Sequence, residues 1–268
     1  MSTVPYHSDA VSARQTEILR RIVTLAHEVA APVIVMDIDD TIYDVRMREV
    51  QVGRAFAKEY DMPVIATMRP EYVRGWDKRQ LLAACGVAPE WLDAHFETYM
   101  QFWKSHFFSN EFVQYDTPFP YAAAYLQQLH AAGAFIVYIT GRDDGMRAGT
   151  IAALTRDGFP LPDDRTLLIC KDTSNTAIWS ADNAEHDRIA ATRQADAEFK
   201  SRARAHAQQL GSVIASFDNE PVNVNDNFKT FHDPARGGIG FAVQLNTQVA
   251  HAEPLVAGAV VIDGFRMG

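Results

Sequence analysis

The chain has 268 residues, 47% of them hydrophobic, and a formal net charge of -9, which is enough to bury one large domain or a core with a smaller appendage. No stretch clusters Lys and Arg with aromatics, which argues against a nucleic acid or an acidic membrane as partner. The opening MSTVPYHSDA has neither a basic start nor an apolar centre, and no apolar run approaches the roughly 18 residues of a membrane span, so a cytoplasmic protein without a signal peptide is expected.

Residues 12–30 place Ile18, Ile22, Leu25 and Val29 at spacings of three and four, the pattern of an amphipathic helix. The stretch VIVMDIDDTIYD (33–44) then reads as a strand from about Val33 to Asp37, buried on both faces. Asp37, Asp39, Asp40 and Asp44 cluster where it ends, an arrangement that is costly unless a cation compensates it. From Asp44 to about Pro118 the pattern is helical, with Arg48 to Glu59 and Trp91 to Phe107 as its longest elements. Leu92, Phe96, Tyr99 and Trp103 share one helical face, so the aromatics of this region are expected to pack together rather than stack on a ligand.

A second unit opens with PYAAAYLQQLHAAG, a helix with Pro near its start and Gly133 as its C-terminal cap. The strand AFIVYIT ends at Thr140. A helix near Met146 to Thr155, the strand TLLIC, a long helix through DAEFKSRARAHAQQL, the strand SVIASF running into Asp218, and the strand GIGFAVQL complete the pattern. Apolar strands alternating with helices predict an α/β fold, a doubly wound parallel sheet with helices on both faces. Cys85 and Cys170, the only cysteines, stand far apart and are read as reduced and structural, and His95 and His106 as surface or packing residues without a partner at metal spacing.

Ligands of such sheets bind outside the carboxyl ends of the strands, where this chain carries Asp37, Asp39 and Thr41, then Thr140 and Gly141, then Lys171, then Asp218 and Asn219. Asp37 and Asp218 suit a hard dication such as Mg2+, which takes one or two carboxylates, waters and a substrate phosphate. Asp37 and Asp39, about 6.6 Å apart along the chain, can face one side, one to attack and the other to handle a proton. The Thr140 hydroxyl and Gly141 backbone, read as immediately preceding a helix, suit a phosphate. Lys200, read at the start of the helix leading to Asp218, can neutralise charge. Together these parts fit phosphoryl transfer.

DIDDT, then ITGR, a Lys and FDNEP resemble, in order and spacing over about residues 33–245, the motifs of the haloacid dehalogenase superfamily. The resemblance implies a Rossmann-like core of residues 1–43 and 119–268 and a helical cap of residues 44–118. It implies Asp37 as nucleophile forming an aspartyl phosphate, and Asp39 protonating the leaving oxygen and then activating water. It also implies Mg2+ held by Asp37, the backbone carbonyl of Asp39 and Asp218, and a small phosphomonoester as substrate. The strand order it implies sets Lys171 about 10 Å to the side of Asp37, two strand spacings, so Lys200 is chosen over Lys171, which is left to face solvent or a distal substrate group.

Two departures stand out. Asn219 and Asn223 occupy positions where relatives often carry an acid, with Glu220 available to compensate, and Asp40 stands where many relatives have Gly. Thr140 or Lys200 taken singly reads as a turn hydroxyl or a solvated charge; the ordered set reverses those odds. Of Arg46, Arg48, Arg142 and Arg147, at most one is expected to contact substrate. A dehalogenase would need neither Asp39 nor Asp218. A phosphomutase or phosphotransferase shares every motif, and a receiver-like signalling or non-catalytic phosphate-binding protein stands as a further alternative.

Overall fold

The computed structural model describes residues 12–172, 185–247 and 253–268; the opening segment read as lacking a signal peptide lies outside them. The strands are β1 (Pro32–Met36), β2 (Tyr43–Asp44), β3 (Thr117–Pro118), β4 (Phe135–Asp143), β5 (Thr166–Lys171), β6 (Ser212–Asp218), β7 (Phe241–Leu245) and β8 (Val260–Ile262). The helices are α1 (Ala13–Glu28), α2 (Arg46–Glu59), α3 (Pro63–Ala66), α4 (Lys78–Ala84), α5 (Pro89–Phe107), α6 (Asn110–Val113), α7 (Ala122–Ala131), α8 (Arg147–Arg156), α9 (Glu185–Leu210) and α10 (Pro221–Asn227).

Six strands form one parallel sheet in the order β5-β4-β1-β6-β7-β8, a doubly wound α/β fold. All five residues of β1 are buried because both faces of the sheet are covered. Ile34 and Met36 pack with Leu19 and Ile22 of α1, Leu126 and Leu129 of α7 and Leu154 of α8. Val33 and Val35 point the other way, to Phe199, Ala203 and Ala207 of α9. The side-chain period of two thus turns an unbroken apolar run into two half-cores. Ser12 caps α1 by accepting the Gln15 N–H at 3.0 Å, and Gly133, at φ 98°, takes the left-handed turn after α7.

Residues 45–112 build another apolar cluster, centred on Val50, Phe56, Leu82, Phe96, Tyr99, Trp103 and Phe107. Leu92, Phe96, Tyr99 and Trp103 are all buried in it, so these rings are packing residues. Its two connections to the sheet run side by side, β2 pairing antiparallel with β3. Cys85 and Cys170 are both free and buried. Among the described residues no helix is long and apolar enough to cross a membrane.

Three local expectations change. β4 does not stop at Thr140; after an irregularity between Thr140 and Asp143 it continues to pair with β5, Asp143 opposite Lys171. Gly141 therefore lies within a strand, and the α-helix begins only at Arg147, after the short turn Asp144–Met146. α9 already runs from Glu185 among the described residues, so Lys200 sits within the helix and not at its start. Lys171 is fully buried and paired with Asp196 at 2.7 Å, rather than facing solvent, because α9 lays Asp196 over the end of β5.

Candidate active site

β1 and β6 are neighbours, so the chain leaving each delivers its acid to the same place. The Asp37 N–H donates to the Phe217 carbonyl at 3.0 Å, which extends the ladder by one residue and fixes Asp37 beside Asp218. The next residues turn tightly: the Ile38 carbonyl accepts from the N–H groups of Thr41, Ile42 and Tyr43. Asp40 takes up φ 54°, a conformation natural to glycine, and its carbonyl accepts the Thr247 hydroxyl. Asp40 shapes this turn.

Lys200 bridges the two strand ends. Its Nζ lies 3.3 Å from Asp37 Oδ1 and 2.9 Å from Asp218 Oδ2. The Thr41 hydroxyl donates to Asp37 Oδ2 at 3.0 Å, and Asp218 Oδ1 accepts from the Glu220 N–H at 2.9 Å and from Asn223 Nδ2 at 3.2 Å. Asn223 Nδ2 also reaches Glu220 Oε2 at 2.9 Å, so the amide that stands where an acid is common ties Glu220 to Asp218. Asn219 is buried, and its carbonyl accepts from Gln244 of β7.

Burial pushes the Asp37 carboxyl well above the usual carboxylate range; Lys200 opposes this, and Asp218, Asp39 and Glu220 add to it. The Lys200 pKa is raised as well: burial lowers it, but Asp218, Asp37 and Glu220 outweigh that. The carboxyl groups of Asp37, Asp218 and Glu220 thus gather around the Lys200 ammonium. That concentration of oxygen donors fits a hard dication. No group of three or more His, Cys, Asp or Glu side chains is placed to hold a metal among the described residues, so the side-chain donors here are Asp37 and Asp218.

Asp39 has partners of its own. Its Oδ1 accepts from Arg142 Nε at 3.0 Å, Arg142 Nη2 at 2.5 Å and Arg48 Nη2 at 3.1 Å. Both guanidiniums also hold Asp116, Arg142 Nη2 at 2.7 Å and Arg48 Nε at 2.8 Å. Burial would raise the Asp39 pKa, but the two guanidiniums prevail and hold it at about 2. Asp39 is therefore a carboxylate at neutral pH, with its other oxygen free of hydrogen bonds to the described residues.

Thr140 is buried, and its hydroxyl oxygen accepts the Arg142 N–H at 3.2 Å. Tyr138 pairs with Met36, which sets Thr140 two residues further along β4, level with the loop that leaves β1. Gly141 follows it, partly exposed, with open space where a Cβ would stand. Asp37, Lys200 and Asp218 are thus in direct contact, Thr140 and Gly141 flank them, and Asp39 faces the arginines. Arg46 pairs with Asp44 and Arg147 with Asp144. The Arg48–Asp39–Arg142–Asp116 quartet is absent from the sequence reading, since its pairs span up to 103 residues. The only sequence signal for it is that Arg48 and Arg142 both flank motifs.

No protein-family model matches the chain, and no curated protein is similar to it in sequence. Among solved structures, a dehalogenase is 15% identical, matches over 88% of this chain and 94% of its own, and has a TM-score of 0.43. The class C acid phosphatase from Bacillus anthracis is 15% identical over 84% of this chain and 75% of its own, with a TM-score of 0.35. The same enzyme with tungstate bound gives 0.36 over 84% and 74%. The fold class follows from the strand order and parallel crossovers themselves.

Proposed function

We propose that the chain is a Mg2+-dependent hydrolase of the haloacid dehalogenase type, acting on a small phosphomonoester through a phosphoryl group carried by Asp37. The observation that carries this reading is the gathering of carboxyl groups at the meeting of β1 and β6, where Asp37, Asp218 and Glu220 act together on Lys200. Mg2+ would be held by the Asp37 and Asp218 carboxylates and the backbone carbonyl of Asp39, and would supply positive charge to phosphoryl oxygens. Lys200 orients Asp37 and meets the charge of the incoming phosphate. Thr41 fixes the second oxygen of Asp37, so the nucleophile has one orientation.

Thr140 and Gly141 flank the phosphate with a hydroxyl and backbone N–H groups. Asp39, held ionised, is set to take a proton from the water that releases phosphate from Asp37; giving a proton to the leaving oxygen requires a guanidinium to withdraw first. The helical region within residues 44–118, up to the ties that begin at Asn110, acts as a lid that excludes water while the ester is cleaved.

The test is phosphate release from p-nitrophenyl phosphate with Mg2+ and with excess chelator. The expected result is turnover that chelator abolishes and that Asp37→Asn reduces by at least about 100-fold, with the variant still folded. Full activity in chelator, or in Asp37→Asn, refutes the mechanism. An isomerised sugar phosphate without free phosphate would assign a mutase instead.

A further inference from the structure

The two oxygens of Asp218 are not equivalent. A carboxylate oxygen has lone pairs for about two donors. Oδ1 receives two, the Glu220 N–H at 2.9 Å and Asn223 Nδ2 at 3.2 Å. Oδ2 receives one among the described residues, Lys200 Nζ at 2.9 Å. Hydrogen bonds therefore fill Oδ1 and leave Oδ2 a lone pair to share with a cation, and the donor that completes Oδ1 is a side chain, Asn223.

Asn223 is buried at the third position of α10. Its Nδ2 carries two hydrogens, one for Asp218 Oδ1 and one for Glu220 Oε2 at 2.9 Å. Carboxylate oxygens only accept, so the amide must turn its NH2 toward them. An aspartate of the same shape would set oxygen against two carboxylates. At a position where the family resemblance would place an acid, this chain thus has a donor. Glu220, tied in this way, lies close enough to act on the charges of both Asp37 and Lys200.

α10 does not depend on Asn223 for its own seat. Asn225 Nδ2 donates to the Pro254 carbonyl at 3.1 Å, its Oδ1 accepts the Val256 N–H at 2.9 Å, and Asn227 Oδ1 accepts from Arg204 Nε at 2.8 Å. These two asparagines anchor the helix, whereas the hydrogen bonds of the Asn223 side chain run to the acids. We propose that Asn223 is a positioning residue of the metal site, which fills Asp218 Oδ1, so reserving Oδ2 for the dication, and fixes Glu220 beside it. The role of the dication rests on the Mg2+ reading above; the pattern of donors rests on the fold. Partners that orient a ligating carboxylate are worth about 10–100-fold in metal affinity.

The experiment titrates Mg2+ alone into the wild type, Asn223→Leu and Asn223→Asp by calorimetry. It also records how far one fixed Mg2+ concentration raises each thermal midpoint, a difference that reports binding apart from the stability of the metal-free protein. Leu keeps a branched shape without a donor, and Asp keeps the shape but accepts. The expected result is Mg2+ affinity lowered at least about tenfold in both variants, with a smaller rise in midpoint. Turnover of p-nitrophenyl phosphate should return in part as Mg2+ is increased, because the loss lies in metal binding. A lower metal-free midpoint with wild-type Mg2+ affinity would make Asn223 merely structural and overturns the proposal, while the Mg2+ reading stands. Tighter Mg2+ binding in Asn223→Asp would make position 223 a ligand and overturns it too. If one variant does not fold, the other decides. A wild type that binds no Mg2+ overturns the proposal and the metal site together.

Discussion

His232 shows how much a single buried group decides. Its Nδ1 lies 2.6 Å from the Ile239 carbonyl and its Nε2 3.0 Å from Ser216 Oγ. A carbonyl only accepts, so Nδ1 carries the proton and Nε2 accepts from the serine hydroxyl: the ring is neutral. Burial holds its pKa down to about 4 against the pull of the Ile239 carbonyl. Below about pH 6.5 the unfolded chain takes up a proton that the folded chain refuses until about pH 4, so the fold loses about 3 kcal/mol across that window. Denaturant melts from pH 7 to pH 4 should show this loss in the wild type and a shallower slope in His232→Gln; equal slopes would refute it. Nothing in the sequence around His232 announces this role, because Ser216 and Ile239 become its partners only through folding. The same limit applies to Asp39. Its place two residues after Asp37 is legible, but the arginines that hold it ionised come from α2 and β4 and are legible only as two of four candidates. Asp37, Asp218 and Lys200 were legible because each follows or leads into an apolar strand that the pattern marks. Lys171 was not, since no periodicity reveals that Asp196 covers it.

Among the elements, the sheet and its helices follow from apolar periodicity, while their ends depend on contacts that the periodicity does not carry. β4 runs on to Asp143 because β5 is there to pair with it beyond the irregularity at Thr140. α8 and α2 illustrate the same point through their glycines. A Cβ on Gly149 would come within 2.9 Å of the Asn110 backbone, where α6 crosses α8 and Asn110 accepts the Gly149 N–H. A Cβ on Gly53 in α2 would meet the Met68 thioether end closely, at 2.7 Å and 2.8 Å, and Ile65 at an ordinary 3.6 Å. Alanine gains roughly 1 kcal/mol over glycine inside a helix. At Gly53 the flexible Met68 tip moves aside, so Gly53→Ala should hold or raise the thermal midpoint. At Gly149 backbone must yield, and overpacking of about 1–3 kcal/mol outweighs the gain, so Gly149→Ala should lower it. Thermal melts of both variants check the contrast, which is wrong if Gly149→Ala is the more stable of the two.

At the scale of the whole molecule, the question is where the helical region ends as a unit. Its apolar cluster is centred away from the two half-cores of the sheet, which suits a lid. Its return path, however, is fastened to the core well before Pro118. Asn110 Nδ2 donates to the Gly145 carbonyl at 2.6 Å, Arg156 of α8 donates to the carbonyls of Gln114 and Asp116 at 2.7 Å and 2.8 Å, and Val113 packs in the core of the sheet. Residues 110–116 therefore stabilise the core even though they lie within the stretch that the sequence reads as cap. Replacing residues 47–109 by a short Gly/Ser linker should leave a core that melts cooperatively, whereas replacing residues 47–118 should also remove these ties and β3, and should lower the midpoint further. The shorter excision removes Arg48, leaving Arg142 alone against Asp39 and Asp116, so the trimmed core should accept a wider range of phosphomonoesters while turning each over more slowly. Circular dichroism melts and a phosphomonoester screen measure both effects. Equal midpoints for the two excisions would place residues 110–116 with the lid and move the hinge back to β3.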